Sequence, residues 1–222
     1  MKIIAGLGSV DEYIPYVQAG ADELFCGYVP YNWTKKYGTV LPLNRREVLA
    51  YNVQLGSFSE LEILSAMIRK YRKPVHIAMN SLYYIPEQYE EIADIVKQCM
   101  KIGFDSFILA DPALILYLRQ KGISCKIHLS GEAGEMNREA IKVFREMGIG
   151  RIIFHRKNTV ASMQQMIEAV KCRKTGIRGL CIERIVSVHR SILQIPFTVT
   201  RWVIYAGRLT GEMLRWKSVW NE

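Results

Sequence analysis

Over its first 171 residues the chain repeats one pattern, a short apolar run followed by an amphipathic stretch. The runs lie at 2–6, 23–28, 75–80, 106–111, 125–131 and 151–156. Each is rich in Ile, Phe, Val or Leu and too short for a helix, so each reads as a strand buried on both faces. The intervening segments have helical spacing. Residues 57–71 place Leu61, Ile63, Leu64, Met67 and Ile68 on one side, and 86–102 do the same with Tyr89, Ile92, Ile95, Val96 and Met100. Segments 11–19, 113–120, 137–147 and 159–170 complete the set. A period of ~25–30 residues fits successive βαβ units with right-handed crossovers.

Local signals agree with these boundaries. Ser57 and Ser59 precede Glu60 and Glu62 in a capping-type start. Pro86 and Pro112 fall in first turns, where a missing N–H costs nothing. Gly103, Gly122 and Gly148 stop their helices. An open nucleotide-binding sheet is the competing arrangement, but no Gly-x-Gly-x-x-Gly follows a strand. Polar residues gather just past the strand ends instead, as at the C-terminal face of a TIM barrel. The expected fold is therefore α/β: an incomplete TIM-type (β/α) barrel of about six βα units at 1–171, then an atypical tail at 172–222.

Charge separates the same two regions. The formal charge is +9, yet residues 1–170 hold twenty Lys or Arg against eighteen Asp or Glu, whereas 171–222 hold ten against three. The basic tail is not taken as evidence of nucleic-acid binding. No apolar run approaches the ~20 residues that span a bilayer. The opening Lys2–Gly8 stretch is too short and too glycine-punctuated for a signal peptide. Five irregularly spaced cysteines suggest no disulfide framework, which makes a reducing cytoplasm the expected location.

In a barrel, the strand ends bring Cys26, Asn80, Asp111, His128, Ser130, Glu132, Asn137, His155 and Arg156 toward one mouth. His128 alternates with Ile127 and Leu129, so it faces away from them and into the lumen. His128 and Glu132 are the catalytic candidates for proton transfer. Asn80, Ser130, Asn137 and Arg156 are the substrate-binding candidates. Within the set, Asp111 reads as a helix cap and Cys26 as a small buried hydrophobe. His76, inside a strand, reads as a core histidine. Asn44-Arg45-Arg46 is either a clamp for an acidic group or plain surface. Cys-x-x-Cys, His-x-x-x-His and Gly-x-Ser-x-Gly are all absent, so no metal signature or catalytic triad emerges from spacing.

Several blocks together resemble peptidase family U32, the collagenase-like peptidases. They are Gly20 through Gly27 (GADELFCG), Leu43 through Arg46, Asn80, Asp105 through Asp111, His128 through Asn137, and Arg151 through Arg156. The likeness covers residues 1–171 and departs from the family at Lys157, where an acidic residue is usual. The resemblance implies a barrel with a hydrolase (peptidase) assignment. It also implies intact relatives that are iron–sulfur enzymes of oxygen-independent hydroxylation, acting on RNA bases or quinone precursors. Peptide, RNA and small-molecule substrates all remain open, and no membrane partner is expected.

Family members carry a cysteine-rich stretch after the sixth strand, which the printed tail lacks. Reverse translation, with synonymous codons free to be chosen, shows how it could be hidden. GGC CTT TGT ATT GAA CGA encodes Gly179 to Arg184, and one base later, with a following A, it reads AFVLNE. CAC CGG AGC ATT CTG CA encodes His189 into Gln194 and shifts to TGAFC. ATT CCC TTC ACT GTG ACG AGG encodes Ile195 to Arg201, and with a leading A it becomes NSLHCDE. These are family strings in family order. A frameshift near 172–178 and a second slip near Gln194 are therefore expected, with no cofactor in this form and an iron–sulfur cluster in the intact parent. A truncated, inactive, non-enzymatic polypeptide is the alternative.

Overall fold

The computed structural model describes residues 2–38, 41–44, 54–134, 136–155, 157–171 and 181–184. Seven strands form one sheet: β1 (Ile4–Leu7), β2 (Glu23–Gly27), β3 (Val75–Met79), β4 (Ser106–Leu109), β5 (Lys126–Leu129), β6 (Arg151–Phe154) and β7 (Cys181–Arg184). Their spatial order is their chain order, and every neighbouring pair is parallel. That is the winding of a TIM-type barrel rather than an open doubly wound sheet, in which the order reverses. Among the described residues β1 and β7 do not pair, so the sheet is an arc of an incomplete barrel.

Among the described residues seven α-helices lie between the strands, two of them between β2 and β3: α1 (Tyr13–Gln18), α2 (Tyr31–Tyr37), α3 (Phe58–Tyr71), α4 (Pro86–Lys101), α5 (Pro112–Gln120), α6 (Arg138–Glu146) and α7 (Val160–Lys171). Ser57 starts α3 with the expected capping box, its side chain accepting from Glu60 N while Glu60 Oε2 accepts from Ser57 N at 2.9 Å. Pro86 and Pro112 open α4 and α5. Asp111 caps α5, accepting from Ala113 N at 2.8 Å.

Two elements depart from the sequence reading. Helix α2 was not expected; it packs Trp33 into the core, and the indole N–H donates to Leu41 O at 3.2 Å. The strand pattern was expected to stop after β6, but Cys181–Arg184 adds β7 in register with Arg151–Phe154. The exposed ladder of β6 supplies a template that any extended backbone can join.

Side chains alternate across the sheet. Leu24, Cys26, Ile77, Met79, Phe107, Leu109, Ile127, Leu129, Ile152 and Phe154 belong to the large core shared with the helices. The residues between them face the lumen and stack in layers. Phe25, Ala78, Ile108 and Ile153 form a separate apolar cluster there. One step below it stand Glu23, His76, Ser106 and Arg151. One step above, at the C-terminal mouth, come Gly27, Asn80, Ala110 and His155.

A candidate site at the mouth of the barrel

The lower layer is a closed network of buried charge. Arg151 donates to both carboxylate oxygens of Glu23, at 2.6 and 3.3 Å, joining strands whose residues are 128 positions apart. His76 bridges Glu23 Oε2 at 3.0 Å and Ser106 Oγ at 2.6 Å, and Lys2 Nζ reaches Glu23 Oε1 at 2.7 Å. Burial pushes the Glu23 carboxyl up, but hydrogen bonds from His76, Arg151 and Lys2 outweigh it and hold the group well below the usual carboxylate range. Removing any one partner would strand a desolvated charge. His76 is thus a satisfied core histidine, as its position in the sequence suggests.

His128 faces the lumen between the apolar cluster and the lower layer, since its register partners are Ile108 of the one and Arg151 of the other. Its ring meets His76 edge-on with centroids 4.5 Å apart. Only 6% of it is exposed, and its Nδ1 has no hydrogen-bond partner. Burial, with the nearby His76 and Arg151, pushes the imidazole down to about 2, so it stays neutral at ordinary pH. His128 therefore belongs with the lower layer, beneath the mouth.

The other expected site residues lie at or beyond the carboxyl ends of the strands. Asn80 follows β3 and is half-buried. Ser130 follows β5, is buried, and accepts from Glu132 N at 3.3 Å, starting a short 3-10 turn over Gly131–Ala133. Glu132 is exposed in that turn. Gly131 has no room for a side chain, because a Cβ would stand 2.8 Å from Phe154 O. That contact sets the β5 turn against the end of β6. Asn137 caps α6, accepting from Glu139 N at 3.0 Å and Ala140 N at 2.9 Å. Arg156, Arg45 and Arg46 lie outside the described residues.

Sequence reasoning missed a strap at residues 41–44, held over the carboxyl end of β3. Tyr84 OH donates to Leu43 O at 2.7 Å, Ser81 Oγ to Pro42 O at 2.5 Å, and Gln88 Nε2 to Leu41 O at 3.3 Å. Asn44 is almost fully buried and donates from Nδ2 to Ala78 O at 2.9 Å. A Cβ on Gly27 would come within 2.4 Å of that nitrogen, so only glycine leaves the amide its seat. In sequence Asn44-Arg45-Arg46 reads as either a clamp for an acidic group or plain surface; Asn44 proves to be an anchored amide.

A cleft of about 460 Å³ lies between α2 and α4, lined in part by Lys36, Glu87, Glu90, Glu91 and Asp94. Lys36 pairs with Glu91 at 2.8 Å. Among the described residues no three His, Cys, Asp or Glu side chains are arranged to hold a metal ion. Cys26, Cys99 and Cys125 are buried on β2, on α4 and before β5. Burial raises the Cys99 thiol to about 12 and pushes Cys125 up as well. These residues do not fit an iron–sulfur cluster, which needs gathered thiolates, and a raised thiol is a poor nucleophile.

A parallel sheet in strict chain order, with a polar rim above an apolar lumen layer, defines a protein of the TIM-barrel type. The chain belongs to peptidase family U32, whose family model matches residues 8–183. Among curated proteins it is 25% identical over 147 residues to tRNA hydroxylation protein P of Escherichia coli (strain K12), covering 66% of this chain and 29% of that one. It is 22% identical over 169 residues to tRNA hydroxylation protein P1 of Bacillus subtilis (strain 168), covering 76% and 36%. The chain thus spans about a third of the length of these relatives. Among solved structures, the U32 peptidase Mk0906 superposes with a TM-score of 0.56 at 15% identity, covering 85% of this chain and 70% of that one. A glycerophosphodiester phosphodiesterase from Parabacteroides distasonis gives 0.53 at 11% identity, covering 85% and 84%. Both show the barrel fold alone. No described helix is long and apolar enough to cross a membrane.

Proposed function

We propose that this chain is the substrate-binding barrel of a U32 protein of the tRNA-hydroxylation type, and that its mouth holds an RNA base. The observation that carries this reading is the build of the mouth. Neutral hydrogen-bonding groups, Asn44, Asn80 and Ser130, rim a dry floor of Phe25, Ala78, Ile108 and Ile153. Such a surface suits a flat, uncharged, polar ring better than a peptide chain. Its likeness to the two tRNA hydroxylation proteins supports the same substrate.

In this reading Asn80, Ser130 and Arg156 contact the substrate, with Asn137 shaping the rim through the α6 cap. Glu132, the exposed carboxylate of the turn after Ser130, is the proton-transfer group in this reading. His128 acts from below as a neutral ring that fixes the lumen. The described cysteines support no cluster, so hydroxylation would need an intact parent whose restored tail supplies one. The second reading, a peptidase, is favoured by the family's name and by the solved U32 peptidase.

Titrating the purified full chain with an unmodified tRNA transcript, alongside a gelatin-cleavage assay, separates the two. Micromolar tRNA binding without gelatin cleavage is expected; cleavage without tRNA binding would sink the proposal. Resequencing the DNA for residues 170–222 tests the frameshift, which an intact frame encoding the printed tail would refute.

A further inference from the structure

We infer that the sector of the mouth over β2 and β3 is the base-recognition element, with Tyr31 and Tyr83 as stacking platforms and the Gln54 side-chain oxygen as the acceptor that reads the base. The inference rests on the RNA-base reading above and assigns it to particular residues.

Three observations set Gln54 at the end of β2 with an acceptor to spare. Leu55 bridges in parallel to Tyr28, and its N–H donates to Gly27 O at 2.9 Å, which brings Gln54 to the end of β2. Gln54 Oε1 would stand 3.0 Å from a Cβ on Gly27, a lumen-facing position. That oxygen is buried and accepts no hydrogen bond. A buried amide oxygen without a donor is costly and calls for a partner that arrives from outside the chain.

Two exposed tyrosines lie past the ends of the same two strands. Tyr31 opens α2 just beyond β2 and is 78% exposed, yet its ring edge lies against Gly56, where a Cβ would approach Tyr31 Cζ to 3.2 Å. Glycine there seats an exposed ring. Tyr83 lies in the turn after β3 and is 67% exposed. Exposed aromatic rings beside hydrogen-bonding amides are the means by which proteins hold unstacked bases. Glu87, Glu90, Glu91 and Asp94 line the adjoining cleft and repel phosphate, which leaves recognition in this sector to the base rather than the backbone. A lone acceptor takes an N–H from a base edge, and the single imide N–H of uracil, which methylation removes, is the simplest probe of that contact.

The test titrates the full chain with a labelled short oligouridylate, and with the same oligomer built from 3-methyluridine, which lacks that N–H. Wild type is expected to prefer uridine by roughly tenfold. Tyr31→Ala and Tyr83→Ala should each weaken binding by ~5- to 100-fold. Gln54→Leu should erase the preference for uridine while retaining affinity for the methylated oligomer. Unchanged affinity in both tyrosine variants, with the uridine preference intact in Gln54→Leu, would overturn the assignment and leave RNA binding at the mouth standing. Failure of the wild type to bind either oligomer would instead overturn the RNA-base reading and this sector with it.

Discussion

The lumen has two polar tiers that differ in kind. The lower tier holds buried, mutually bonded groups: the paired charges of Glu23 and Arg151, bridged by the His76 ring, with Lys2 closing from outside. The upper tier holds amides, a hydroxyl and tyrosines, at least one of whose acceptors is unpaired. In a TIM-type barrel the N-terminal end serves stability and the C-terminal end serves chemistry. Polar residues thus divide by kind, with paired charge below and neutral hydrogen-bonding groups above.

Breaking the lower tier should have the largest effect. Glu23→Ala leaves Arg151 buried without its carboxylate and should cost about 3–5 kcal/mol, read as lost cooperativity in urea unfolding. A variant melting within error of wild type would mean that water reaches this network. Acid attacks the same tier. The folded pKa of His128 lies below its unfolded value, so its neutral form stabilises the fold fully above pH ~6.5, and that stability falls as pH drops below it. Glu23, also depressed, adds a loss that begins below its ordinary value near 4.5. Between pH 6.5 and 5 the histidine part amounts to ~2 kcal/mol. His128→Phe should flatten the curve in that window, and an unaltered slope would remove His128 as its cause.

The upper tier predicts smaller changes in stability. Asn137→Ala removes the α6 cap and should lower stability by ~1 kcal/mol, with tRNA affinity falling little. Affinity falling with no change in melting would make Asn137 a substrate contact first. Asn80→Ala should move stability least, within ~0.5 kcal/mol, while weakening tRNA binding. The reverse result would place Asn80 with the structural tier.

Much of this was legible in sequence because it is local. The six predicted strands, the Ser57 box, the proline starts and the Asp111 cap depend on neighbours within a few residues. That His128 faces the lumen followed from its alternation with Ile127 and Leu129. Its height did not, because strand stagger is a property of the closed sheet and not of one strand. The Glu23–Arg151 pair was hidden for the same reason: nothing local distinguishes a strand-opening Glu from a solvated one. Helix α2 went unread because its seven residues bury little beyond Trp33. Asn44 of the strap and Gln54 both pack where a Gly27 side chain would stand, a closeness no local pattern signals.

The Arg151–Glu23 clasp also bears on synthesis. Residue 151 leaves the ribosome long after residues 23 and 76, so for most of translation the carboxylate and its histidine wait without their guanidinium. The first five strand–helix units are then a holding arrangement rather than a finished unit, and closing so long a loop places this contact late in folding. A nascent chain stalled before β6 should remain protease-sensitive throughout, and one released after it should become resistant in a single step.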